Sequence, residues 1–131
     1  MNIDKPLLDT LTAQAQTSPR LRMNMDLRNS AADTSQRMLN AIEPGSVVPI
    51  HRHRKTSETV VVLRGRAVQY LYDDEGRETG SVILVPGSEI PAMQVEMGQL
   101  HRIEALESGT VILEMKDGAY EPIGAEDVMA R

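Results

Sequence analysis

Apolar residues recur along this chain at two spacings. Leu7, Leu8, Leu11 and Ala15 share one face at helical spacing, so the periodicity predicts a helix over 4–17. Asp4 stands at its N-cap, Pro6 is tolerated in its first turn, and Ser18-Pro19 stops it. The period then drops to two. Leu21, Met23, Met25 and Leu27 alternate with Arg20, Arg22, Asn24 and Asp26, the pattern of a half-buried strand. After a polar loop over 29–35, short β-rich runs follow between turn signals, at 37–42, 47–53, 58–63, 67–72, 81–85, 93–96, 100–105 and 110–116. Asp73-Asp74-Glu75-Gly76 predicts a hairpin after Tyr72. Together these elements predict one all-β domain, an antiparallel sandwich or barrel with a short N-terminal helix. Residues 1–35 form a helix-and-strand extension packed on the barrel, 36–118 the barrel, and 119–131 a tail.

Composition narrows the class. The 131 residues suffice for a single buried core, and no repeat or linker divides them. Phe and Trp are absent, and Tyr70, Tyr72 and Tyr120 are the only aromatic rings besides histidine. Packing therefore rests on aliphatic residues and eight methionines, and sugar recognition by broad aromatic stacking is disfavoured. A net charge of −5 gives no reason to expect nucleic-acid or anionic-membrane binding. The run Arg52, His53, Arg54, Lys55 is a local exception, readable as a solvated loop or as a positive rim that draws in an anion. With no cysteine, disulfides and thiolate chemistry are excluded. The first residues lack a secretory pattern and no apolar run reaches membrane-spanning length, which predicts a cytoplasmic protein.

The chemistry concentrates in the histidines. All three fall in one pattern, His51-x-His53, then Glu58 after four residues, and His101 behind Gly98. Side chains two apart on a strand point to the same face, so His51 and His53 project together, and Glu58 can return beside them from the following strand. Three imidazoles and a carboxylate form a ligand set for a divalent transition metal, whether Zn, Fe, Mn, Ni or Co. By strand parity Val60 and Val62 share the face of Glu58, and Ile103 that of His101, giving the site an apolar floor.

Gly45-x5-His51-x-His53-x4-Glu58-x6-Gly65 resembles the first cupin motif, and Gly98-x2-His101 resembles the core of the second. Glu96 replaces the usual proline of the second motif, and Ala105 the frequent asparagine. The resemblance implies a jelly-roll β-barrel with the four ligands on its inner wall. A resemblance over nearly the whole chain is to the WbuC-type cupin metalloproteins of bacterial surface-polysaccharide loci. It is carried by Leu7-Leu8-Asp9-x-Leu11, Ser18-Pro19-Arg20-x-Arg22-x-Asn24, 36–41 and Glu114-Met115-Lys116-x-Gly118-x-Tyr120, with Ala119 in place of a proline. It implies metal binding and a link to polysaccharide assembly.

Other polar residues have two readings each. Arg37 and Glu114 either enter the cavity to orient a ligand or pair with one another outside it. Tyr70 and Tyr72 are either core or pocket wall, and Tyr120 can fold over the barrel mouth. Two functions fit: a metal-dependent enzyme (isomerase, epimerase, lyase or oxygenase) on a small polar or anionic carbohydrate-related molecule, or a module that binds such a ligand without turnover. A third keeps the metal as structural cement in an interaction protein. A homodimer is expected through the N-terminal extension.

Overall fold

Residues 1–129 are described by a computed structural model. Asp4 caps the helix α1 (Lys5–Thr17) by accepting the Leu7 N–H at 3.2 Å, and Pro6 occupies the first turn, where no intrahelical donor is needed. The stripe Leu8, Leu11 and Ala15 is buried against Leu39, Ala41 and Val111, with Met23 and Met25 at its margin. Burying each leucine contributes on the order of 2 kcal/mol. A helix this short is marginal in water, so packing on a sheet holds it in place.

The described residues contain ten strands: β1 (Arg22–Asp26), β2 (Ser35–Ile42), β3 (Ile50–His51), β4 (Glu58–Arg64), β5 (Ala67–Tyr72), β6 (Glu78–Leu84), β7 (Ala92–Val95), β8 (Leu100–Ala105), β9 (Thr110–Asp117) and β10 (Val128–Met129). They build two five-stranded sheets, ordered β1-β2-β9-β4-β7 and β10-β3-β8-β5-β6. All pairings are antiparallel. The chain crosses between sheets instead of meandering, since β2 lies beside β9 and β3 beside β8. The all-β jelly-roll expected from the sequence is thus present as a two-sheet sandwich carrying α1 on the outside of the first sheet.

What fills the space between the sheets changes from one end to the other. Ile42, Val60, Val62, Ala67, Leu84, Ile103, Ala105 and Ile112 make a continuous apolar core. Two residues further along the same strand faces stand Asn40, Glu58, Gln69, His101 and Glu114. Register aligns these changes, because Val60 pairs with Glu114, Glu58 with Lys116 and Gln69 with Ile103. One end of the sandwich is therefore dry core and the other a polar cavity.

Several boundaries differ from the sequence expectation. The strand expected over 47–53 pairs only at Ile50–His51, since Pro49 has no N–H to give a ladder and Val47 is exposed. His53 lies past the strand, where its carbonyl accepts the Gly98 N–H at 2.8 Å. β6 begins at Glu78 rather than at residue 81, extended by the hairpin whose turn is closed by Gly76 N–H to the Asp73 carbonyl. β10 was not expected. It arises within the tail predicted over 119–131, of which Ala130 and Arg131 lie outside the described residues.

Gly65, between β4 and β5, has φ +88°, and a Cβ there would come within 2.7 Å of the Thr110 Cα. Both the left-handed backbone and the close approach of a second strand require glycine. Gly65→Ala is expected to destabilise the fold by about 2 kcal/mol or more. An unchanged urea midpoint would show that the contact relaxes without cost.

Candidate metal centre

His51 ends β3, and its ladder partner on β8 is His101. The two rings are 4.4 Å apart between centroids, and the His53 ring lies 5.1 Å from His51. Glu58, the first residue of β4, reaches them from the facing sheet. One ligand atom from each of His51, His53, Glu58 and His101 lies within 4.8 Å of the other three. Donors on opposite sides of an ion at about 2.1 Å are roughly 4.2 Å apart, so the set is nearly contracted to a coordination sphere.

Proton positions favour the same use. His51 Nδ1 and His101 Nδ1 each stand 2.8 Å from a carbonyl, of Pro49 and Gln99 respectively. A carbonyl only accepts, so each Nδ1 carries the proton and Nε2 keeps a lone pair. Nε2 of His101 and of His53 are buried without a hydrogen bond, at 4.0 and 2.9 Å from Glu58 Oε2. A cation between the two ring nitrogens and the carboxylate would give all three a partner. The donor set fits a divalent transition metal.

Burial, and then the neighbouring His101, lowers the His51 value from 6.5 to about 4; burial likewise depresses His101. For Glu58 burial acts upward, but His53, Lys116 and His101 outweigh it and hold the carboxyl well below the usual carboxylate range. Near neutral pH His51 and His101 are thus neutral and Glu58 is ionised, the protonation states in which these groups ligate metal.

The cluster opens on a cavity of about 260 Å³ whose walls include Arg22, Asn40, Gln69, Glu114 and Lys116. Lys116 Nζ lies 3.6 Å from Glu58 Oε2. Asn40 Nδ2 donates to Glu114 Oε1 at 3.2 Å. Burial, and then the charge of Glu58, raises the Glu114 carboxyl from 4.5 to about 7.

Of the wider set of expected site residues, only Glu114 lines this cavity. Arg37 is opposite Met115, one position out of phase with Glu114, and therefore faces outward. It pairs with Asp33 at 3.1 Å instead of either entering the cavity or meeting Glu114. Tyr70 and Tyr72 lie on the outer face of the second sheet, in a small cluster with Ile50 and Leu100, where Arg102 stacks on Tyr70 and donates to the Tyr72 hydroxyl. Tyr120 is exposed and faces Arg28 rather than covering the mouth. The basic run is not a rim for anions: Arg52 and Arg54 bind Asp127, and Lys55 binds Glu121.

The residues missed are Arg20, Arg22, Asn24, Asn40, Gln69 and Lys116. Those of β1 were legible as the polar half of an alternating strand, but alternation alone assigns that half to solvent. Here the polar face turns toward the facing sheet, while Met23 and Met25 turn to α1.

Two sheets of this topology, with three histidines and a glutamate between their facing walls, have the cupin jelly-roll fold. The chain belongs to the family described as "Domain of unknown function (DUF6016)", which matches residues 3–84. No curated protein matches it in sequence. Among solved structures it is similar to KdgF from Halomonas sp., with a TM-score of 0.62, 16% identity, and 79% of this chain and 85% of that one covered. It is also similar to the capsular polysaccharide assembling protein CapF from Staphylococcus aureus, with a TM-score of 0.68 and 19% identity over 86% of this chain. Oxalate oxidase in complex with glycolate gives a TM-score of 0.66 at 13% identity over 83% of this chain. The chain spans 57% of that oxidase and 32% of CapF. These likenesses establish the fold. Among the described residues no helix is long and apolar enough to cross a membrane.

The raised Glu114 value has a stability consequence with a definite sign. A group whose folded value exceeds its unfolded one contributes stability that is complete below 4.5 and lost as pH rises through about 7. In metal-free protein Glu114→Gln should be nearly neutral at pH 4.5. At pH 8 it should raise stability by on the order of 1 to 3 kcal/mol. Urea midpoints at the two pH values check this, and equal effects at both would contradict it.

Proposed function

We propose that this protein is a metal-dependent cupin that acts on a small anionic, carbohydrate-related molecule. The observation that carries the reading is the joining of a His3Glu cluster to a cavity walled by Arg20, Arg22 and Lys116. A metal serving only as cement has no need of such access. The cations supply a field for an anion in a chain of net negative charge. The WbuC-type resemblance and the fold shared with a capsular polysaccharide assembling protein support a place in surface-polysaccharide biosynthesis.

His51, His53, Glu58 and His101 would hold the ion. A divalent metal bound there supplies Lewis acidity, polarising a carbonyl or chelating a hydroxy-carboxylate. The chain's own part is to bind and to move a proton. Arg20 and Arg22 receive the anionic group. Glu114, oriented by Asn40 and with a value near neutrality, can both take and return a proton at its carboxylate oxygen. This favours isomerase, epimerase or lyase chemistry at a carbon next to a carbonyl over oxygenation.

Elemental analysis of untagged protein, purified with and without oxygen, should find about one divalent metal per chain. His101→Ala should lose most of it while remaining folded; metal retained in full after dialysis would remove His101 from the ligand set. Metal-replete protein incubated in D2O with keto-sugars and sugar acids should exchange a carbon-bound hydrogen, followed by NMR. Glu114→Gln should slow that exchange by about 100-fold or more. Exchange at the wild-type rate in the variant would take the proton-carrying role from Glu114, and none across the panel with wild-type protein would leave ligand binding without turnover.

A further inference from the structure

The cavity wall holds polar atoms that nothing in the protein satisfies. Gln69, in the middle of β5, is 1% exposed, yet neither its Nε2 nor its Oε1 makes a hydrogen bond. On the facing sheet Asn40 is 7% exposed and spends Nδ2 on Glu114, leaving Oδ1 unpartnered. Both residues line the cavity. Each unpaired buried polar atom costs about 1 to 3 kcal/mol. An apolar residue at position 69 would continue the core formed by Ala67 and Ile103 without that cost, so the amide marks a place where something else supplies the partners.

The pairing capacity of the amide identifies that partner. A carboxylate accepts only, and would meet Oε1 with repulsion; a cation would be repelled by the Nε2–H2 group. A hydroxyl both donates and accepts, and so matches the two ends of one amide at once. Asn40 Oδ1 adds another acceptor for a hydroxyl proton. A different chemistry stands on β1. Arg22 is fixed through Nη1, which donates to the Val47 carbonyl at 2.8 Å and to Ser46 Oγ at 3.3 Å. Its Nε and Nη2 make no hydrogen bond among the described residues, and Arg20 lines the same cavity. A guanidinium edge beside a second cation suits a carboxylate.

We infer that Gln69 and Asn40 form a hydroxyl-reading subsite and Arg22 a carboxylate subsite, so that the cavity selects a polyhydroxylated carboxylic acid of single-sugar size. This rests on the reading of the cavity as a ligand site given above, and names its ligand class and the residues that choose it. The cavity volume of about 260 Å³ is at the small end for ligand sites, which suits a monosaccharide-sized acid. Histidines are the only aromatic rings in the lining among the described residues. Recognition is therefore carried by hydrogen bonds rather than stacking.

The test is calorimetric titration of the full chain with D-gluconate and with glycolate, which keeps the carboxylate and one hydroxyl and lacks the rest. Metal content is measured on the same samples. The wild type should bind gluconate about tenfold or more tightly than glycolate. Gln69→Leu should lose about that factor for gluconate and keep glycolate affinity within about twofold. Its metal content should be unchanged and its melting temperature unchanged or raised, since the unpaired amide is gone. Gln69→Met provides a second shape if the leucine variant fails to fold. Gluconate bound equally by wild type and variant, or no preference for gluconate over glycolate in the wild type, overturns the subsite and leaves Gln69 holding water only. Wild-type protein without metal would refute the metal reading separately, because the comparison of the two acids across the variants is still read.

Discussion

Three histidines and a glutamate, candidate ligands brought together between two sheets, are the constraint around which this molecule is arranged. Three imidazoles come from the second sheet and the loop beyond β3, and the carboxylate from the first, so the centre spans the sandwich. Nε2 of His53 and Nε2 of His101 face the Glu58 carboxylate, 2.9 and 4.0 Å from its Oε2. Such a cluster is costly without a counter-charge. Lys116, the ladder partner of Glu58, supplies part of it from the side, and the geometry leaves the middle to a cation. The apolar half of the core anchors what this polar half strains. Val60 and Val62 fix the strand that carries Glu58, and Ile103 the strand that carries His101.

The ladders turn that anchoring into precision. His51 is held by the His101 register pair, by the Pro49 carbonyl on its ring and by the β10 partner Val128. His53 belongs to no strand, and its backbone is instead tied by the Gly98 N–H. The glycine that precedes His101 in sequence thus also places His53. This gives the Gly-x-x-His spacing a physical meaning beyond the turn itself, since one loop serves two of the four ligands.

The sequence disclosed the periodic parts well, because helical and strand spacing are local properties. The extent of α1, its Asp4 cap and the clustering of His51, His53, Glu58 and His101 were all legible. Which face of a strand meets the interior was harder, and the errors share that cause. Tyr70 and Tyr72 were read as possible pocket wall on residue type, but their parity is opposite to that of Gln69. Arg37 and Glu114 were paired by charge, although they lie on opposite faces of adjacent strands. Conversely, Arg22 and Asn24 alternate with half-buried methionines and look solvated. They are cavity lining because α1 covers the other face of β1, a fact that depends on residues far from it in the ladder.

The basic run 52–55 shows how tertiary context reassigns charge. Next to two ligands in sequence, it invited reading as an electrostatic funnel. Asp127 instead receives both Arg52 and Arg54, and Arg52 N–H also donates to the Asp127 carbonyl, which sets β10 beside β3. These charges are consumed in fastening the C-terminal segment, whose Ile123 and Val128 then form part of the cavity wall. The positive field in the cavity comes from Lys116 and, from the other end of the chain, from Arg20 and Arg22. Both termini thus complete a site whose ligands all lie in the middle of the sequence, and a reading confined to the motif finds the ligand cluster but not the walls that choose what reaches it.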